Sequence, residues 1–227
     1  MQTLSRKNLE QRLNGSETIE QDGHGLKVVR LADGDFLKLF RRKRLLSSAL
    51  WSPPAQRFAD NVTALHKKGI TAPTITGVFR IPEQRLWAVQ YTPLPGQTLR
   101  ETLRSASAAA RVQTIEALGA YLGLLHEKGI YFRSVHLGNV LVLPDGSFGL
   151  IDLADLKTST QPLKAALRRR NMTHLTRYAE DRRWLVDAHL DRLLKGYAQV
   201  CGQKFTHAVS AALSRIATQH ANPAEQA

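Results

Sequence analysis

Asn139 and Asp152 stand at the two ends of a stretch, Val140 to Ile151, whose other positions are mostly apolar or turn-forming. An amide oxygen and a carboxylate so placed can converge on one hard cation, and Mg2+ held against phosphates takes oxygen ligands of this kind. Upstream, Lys38 lies inside the apolar run Phe36-Leu37-Lys38-Leu39-Phe40. A lysine in a half-buried strand needs an anion, unless its stem snorkels from a sheet edge. Asp155, three residues after Asp152, is placed either to cap the following segment or to assist a metal.

These residues need elements to hold them. Leu26, Val28 and Val29, then Asp33-Gly34-Asp35, then the Lys38 run read as a hairpin. After Pro53 and Pro54, the i, i+4, i+7 spacing of Phe58, Val62 and Leu65 before Gly69 predicts an amphipathic helix. Thr74 to Phe79 and Leu86 to Tyr91 read as strands that end at the Pro93-Leu94-Pro95-Gly96 break. Beyond it, Val112, Ile115, Leu118, Leu122 and Leu125 mark a helix closed by Gly129. Val140 to Leu143 and Phe148 to Ile151 then flank the turn Pro144-Asp145-Gly146. After Pro162 the pattern is helical, with Leu190, Leu193, Leu194, Tyr197 and Val200 expected on a buried face. Strands and helices are segregated along the chain, which predicts an α+β fold in two lobes. Residues 1–91 form the expected β-rich lobe with one helix, and residues 92–227 the mostly helical one carrying the hairpin.

In this order the residues resemble the protein-kinase-like superfamily. The resemblance is to its small bacterial branch of lipopolysaccharide core (heptose and Kdo) kinases, toluene-tolerance proteins and relatives of aminoglycoside phosphotransferases, and it covers most of the chain. It implies a two-lobed kinase-like fold, ATP and Mg2+ as cofactors, and transfer of a phosphoryl group to a sugar hydroxyl. Lys38 matches the lysine that clamps nucleotide phosphates, Tyr91 to Gly96 looks like the hinge, and Asn139 and Asp152 match the metal-binding pair. Gly23-His24-Gly25 is the one turn able to bring backbone close to phosphates. Arg133 sits where kinases carry the arginine of their catalytic loop, in a structural or acceptor-phosphate role.

Two departures stand out. The phosphotransferase loop reads Asp-x-His-x-x-Asn, whereas Ser134-Val135-His136-Leu137-Gly138-Asn139 puts Ser134 where the family places the aspartate that orients the acceptor hydroxyl. His136 then becomes the candidate general base, since imidazole titrates near neutral pH. The helix glutamate that pairs with the strand lysine is also missing: Phe58 takes its place, with Asp60 and Asn61 the nearest polar residues. Ser134 therefore admits a second reading, a pseudokinase that keeps the fold without transfer.

Composition narrows the partners. Among 227 residues, 32 Lys and Arg face 19 Asp and Glu, a net charge of +13 that suits an anionic sugar acceptor or membrane headgroups. Arg41-Arg42-Lys43-Arg44 and Arg168-Arg169-Arg170 are the densest clusters. Neither a nucleic-acid motif nor an aromatic stacking platform accompanies them, so no specific nucleic acid is expected. Cys201 is the single cysteine, which excludes an intramolecular disulfide or a CxxC site. The histidines lack metal-ligand spacing, and no zinc site is inferred. No apolar run reaches the roughly 18 residues of a membrane span, and Met1 to Asn14 lacks a signal-peptide core. The expected location is cytoplasmic, with peripheral contact at the inner membrane.

Overall fold

In a computed structural model, residues 1–41 and 52–221 are described. Arg42, Lys43 and Arg44 of the first basic cluster, and the tail after Asn222, lie outside them. Half of the chain is helical (50%) and 24% is strand, with seven helices among the described residues, so the fold is α+β. Backbone contacts divide it into two compact units, Met1–Pro95 with Leu150–Asp155, and Gly96–Gly149 with Leu156–Ala227.

The first unit carries strands β1 (Gln2–Thr3), β2 (Glu17–Asp22), β3 (Gly25–Arg30), β4 (Phe36–Arg41), β5 (Thr74–Ile81) and β6 (Leu86–Thr92). They form one six-stranded sheet in the order β1-β5-β6-β4-β3-β2. β1 runs parallel to β5 and the pairings from β5 to β2 are antiparallel, so the sheet is mixed. Successive side chains alternate between faces. Leu37 and Leu39 of β4 are buried with Val29, Phe79, Ile81 and Ala88 on the face covered by Leu9 of α1 (Arg6–Arg12). Phe36, Lys38 and Phe40 take the other face, opposite Tyr91, Val89 and Trp87 of β6. There α2 (Pro54–Lys67) buries Phe58, Val62 and Leu65, as its spacing predicts.

The strand-rich part thus holds two helices, not the one expected. α1 is short and buries only Leu9, so no apolar period announces it; its local signal is Ser5, whose hydroxyl caps the first turn by accepting from the Asn8 N–H. β2 was equally silent, because all six of its residues are exposed on the sheet's edge.

The second unit contains β7 (Gln97–Thr98), α3 (Leu99–Ser105), α4 (Ala108–Glu127), β8 (Ile130–Phe132), β9 (Val140–Val142), β10 (Phe148–Leu150) and β11 (Leu156–Thr158). Helices α5 (Ala165–Leu175), α6 (Ala179–Arg182) and α7 (Leu190–Ala221) complete it. α4 buries Ile115, Leu118, Leu122 and Leu125 as expected, and packs on α7 at backbone distance. A Cβ on Gly119 would strike the Leu193 carbonyl, and one on Gly196 the Glu116 carbonyl. Only glycine permits so close a crossing. On α7, Leu193 and Tyr197 are buried, but Val200 is 39% exposed, which corrects its expected place in the core. It lies beside Gly123, which has no side chain to cover it, and two residues on the helix breaks at Gly202 (φ 68°).

A buried polar chain ties these helices to the loop that follows β8. The Tyr197 hydroxyl donates to Nδ1 of His126 (2.9 Å), and His126 Nε2–H donates to Oδ1 of Asn171 (3.0 Å). Asn171 Nδ2 in turn donates to the Phe132 carbonyl (2.6 Å), fixing the amide orientation and, through it, the neutral imidazole tautomer. Burial, opposed by the Asn171 bond and aided by the Arg168 charge, lowers the His126 pKa from 6.5 to about 4. The unfolded chain therefore binds the extra proton between those values, so stability is full above pH 6.5 and is lost as pH falls toward 4. A loss on the order of 3 kcal/mol is expected. Denaturant unfolding across this range measures it, and His126→Gln should flatten the dependence; an unchanged slope in the variant would assign the loss elsewhere.

Candidate functional site

Within the first unit, the strand that carries Lys38 faces the segment Leu150–Asp155. Lys38 Nζ donates to Asp152 Oδ1 at 2.6 Å, with the lysine side chain 16% exposed and the aspartate 43%. The anion that Lys38 required is the very carboxylate assigned to the metal. Alternation fixes the lysine: its neighbours Leu37 and Leu39 are committed to the α1 face, so Lys38 must point to the other.

Asp152 is held by the strap on which it sits. The Leu150 N–H donates to the Thr71 carbonyl (3.0 Å), Asn61 Nδ2 donates to the Leu153 carbonyl (2.6 Å), and Arg57 Nε donates to the Ala154 carbonyl (3.3 Å). Asn61 and Arg57 both belong to α2, so the helix expected to pair with Lys38 through a glutamate instead grips the backbone just after Asp152, at Leu153 and Ala154. Asp60 is exposed and accepts from Gln56. Asp152 has φ +57°, a left-handed backbone that aspartate tolerates better than most residues.

Tyr91 and the glycine turn depart from their expected roles. The Tyr91 ring stacks on Phe58 (5.4 Å between centroids) and tilts against Phe36, so it is core support and not a surface for a nucleotide. Burial, then the charges of Asp152 and Glu20, push its hydroxyl pKa upward. At the β2–β3 turn, the His24 N–H already donates to Asp22 Oδ1 (2.8 Å) and a Cβ on Gly25 (φ +111°) would meet the Arg41 guanidinium. Asp22 and Glu20 share Lys27, and this acidic lining is a poor phosphate cradle. Asp155 is exposed at the end of a short 3-10 turn, Leu153–Asp155.

In the second unit, the loop from Arg133 to Asn139 is pinned at nearly every residue. Arg177 donates to the Arg133 carbonyl (2.6 Å), Asn139 Nδ2 to the Ser134 carbonyl (2.9 Å), and the Arg100 N–H to the Leu137 carbonyl (3.2 Å). The Leu137 N–H donates to Oδ2 of Asp181 (2.9 Å), whose side chain is fully buried. Arg100 closes this strut with a fork on the same carboxylate, Nε to Oδ1 at 2.8 Å and NH2 to Oδ2 at 3.0 Å. With Nδ2 of Asn139 spent on Ser134, its Oδ1 is the atom suited to a cation.

His136 does not fit the base expected of it. The Gly138 N–H donates to His136 Nδ1 (3.0 Å), so in the neutral ring Nε2 carries the proton and acts as a donor. Its ring meets Tyr178 edge-on at 5.0 Å, and a Cβ on Gly138 would crowd both that ring and Arg100.

Asp181, Arg100 and Asn171 were missed in the sequence, and Asn61, noted there only as a polar residue near the absent glutamate, was not read as a partner of the Leu153 carbonyl. Each is a lone polar residue whose partner is 39 to 92 positions away, so no local spacing marks it. As for metals, no group of three or more His, Cys, Asp or Glu side chains gathers among the described residues. The Asp152 carboxylate of the first unit is a hard oxygen donor of the kind that suits Mg2+, which takes one or two protein ligands and completes its shell with water and phosphate. No helix among the described residues is long and apolar enough to cross a membrane. In comparisons with protein-family models and with curated proteins, the chain matches none.

Proposed function

We propose that this chain is an ATP- and Mg2+-dependent phosphotransferase of protein-kinase-like fold, acting on a sugar hydroxyl of lipopolysaccharide core. The observation that carries the reading is the Lys38–Asp152 pair, a half-buried cation on a central strand opposite a carboxylate in a left-handed backbone. Bound ATP supplies the phosphoryl group: the acceptor oxygen forms the new P–O bond, the bond to ADP breaks, and the hydroxyl proton leaves to solvent. Lys38 offers charge to phosphate oxygens, Asp152 and Asn139 offer oxygens to Mg2+, and the Ser134 hydroxyl orients the acceptor. Transfer through a loose transition state depends more on positioning and charge than on a base. The pinned loop supplies the positioning. The acceptor class and a cytoplasmic place at the inner membrane come from the family it resembles.

Ser134 favours a second reading, a pseudokinase scaffold, with or without nucleotide, that has lost transfer. Calorimetry of ATP binding with and without Mg2+ tests the nucleotide site. Mg2+-dependent binding weakened at least about tenfold by Lys38→Met is the expected result; absence of binding in every condition overturns the phosphotransferase and leaves the pseudokinase scaffold. Ser134→Asp then divides them. Gain of transfer from an inactive parent marks decayed catalysis, and loss from an active parent shows that the serine is used.

A further inference from the structure

Three arginines meet on the second unit with no acidic partner. Arg170 and His174 share a face of α5, one turn apart. Arg177 follows the helix, donates Nε to the His174 carbonyl (3.2 Å) and NH2 to the Arg133 carbonyl (2.6 Å). Arg133 opens the loop that carries Ser134, and all three arginines are exposed. His174 is fixed at the centre by the Tyr131 hydroxyl on its Nε2 (3.1 Å). Lys157 sits directly across from Tyr131 in the β8–β11 pair and adds to the charge. Among the described residues no carboxylate forms an ion pair with Arg133, Arg170, Arg177 or Lys157, although Arg100, Arg104, Arg168 and Arg192 all have one.

We infer that Arg133, Arg170 and Arg177 form a phosphomonoester subsite that holds a phosphate group beside the Ser134 loop. Planar guanidinium forks match the oxygens of a phosphate, and an unneutralised cluster of three gains what a paired arginine has already spent. The cluster acts on its centre: burial, then Arg177, Arg170 and Arg133, hold the His174 pKa below its ordinary value. An anion seated among them offsets the positive charge that the ring feels. The inference rests on the phosphotransferase reading only in naming the bearer, a phosphorylated sugar acceptor. A lipid phosphate headgroup offers the same chemistry.

The test uses the full chain without nucleotide or Mg2+, so its failure is separate from failure of the ATP site. Inorganic phosphate and glucose 6-phosphate are titrated at constant ionic strength while the His174 ring is followed by NMR. Saturable binding with an upward move of the His174 pKa is expected. Arg170→Gln and Arg133→Gln should each weaken it about tenfold or more, whereas Arg192→Gln, which removes the same charge elsewhere, should not. Among the described residues the Arg170 side chain makes no hydrogen bond, so its variant keeps the test valid if Arg133→Gln misfolds. Vesicles of phosphatidylcholine with and without phosphatidic acid separate the bearers: phosphatidic-acid-dependent sedimentation lost in Arg170→Gln identifies the headgroup. Its absence alongside sugar phosphate binding identifies the soluble one. No saturable binding of any phosphate, or equal weakening by Arg192→Gln, overturns the subsite.

Discussion

Replacing Asp152 with asparagine should abolish the Mg2+ dependence of ATP binding while leaving the fold intact. Asparagine keeps an oxygen at 2.6 Å for Lys38 and tolerates the left-handed φ of +57°. What it removes is the negative charge, and a neutral amide is a far weaker ligand for a hard dication. Under the phosphotransferase reading, affinity for ATP with Mg2+ should fall by about a hundredfold, a difference of about 2.7 kcal/mol. Asp152→Ala is the harsher partner. It removes the Lys38 acceptor and puts a Cβ-bearing residue without a local hydrogen bond into the left-handed region, at a cost of about 1 kcal/mol in stability. Calorimetry reads the first effect and thermal unfolding the second. If Asp152→Asn binds MgATP as the parent does, Asp152 is only the counterion of Lys38.

The largest stability effect is expected at Asp181. Its carboxylate is fully buried and serves three donors, the Leu137 N–H and two nitrogens of Arg100. Asp181→Ala leaves the amide of Leu137 without an acceptor and Arg100 without its fork. Arg100 retains 22% exposure and stands 3.9 Å from Glu180, so solvent and that carboxylate recover part of the loss. About 3 kcal/mol is a reasonable net cost, below the full penalty for breaking a deeply buried pair. For a chain of this length that lowers Tm by about 6–12 °C. Adding Arg100→Met to Asp181→Ala should restore part of it, because the unpaired charge is then gone. A single variant within a degree or two of the parent would show that the strut is dispensable.

How far the site could be read in advance depended on whether its parts lie along the chain or across it. The hairpin around Asp33-Gly34-Asp35, the helix of Phe58, Val62 and Leu65, and the strand of Lys38 announced themselves because period and turn chemistry are local. Lys38 could be seen to need an anion, since an apolar run does not tolerate an idle charge. Which anion it takes was a tertiary matter, 114 positions away. Tyr91 looked like a ligand contact because it precedes the Pro-Gly break, yet ring stacking on Phe58 claims it. His136 looked like a base by residue type alone, and the N–H of Gly138, two residues on, assigns its proton to the other nitrogen. α1 and β2 escaped because the first buries one leucine and the second none.

The chain passes between its two units three times, since Leu150–Asp155 returns to the first before Leu156 resumes the second. During synthesis this imposes a delay. The strands that carry Lys38 leave the ribosome well ahead of Asp152, and the strap that Asn61 and Arg57 grip is absent until Asp155 has been added. At ordinary elongation rates of about 5–20 residues per second, the roughly 60 residues between Pro95 and Asp155 take about 3–12 s. Over that interval Lys38 has no Asp152 to meet, and the first unit cannot close its site until residues 96–149 of the second have been made.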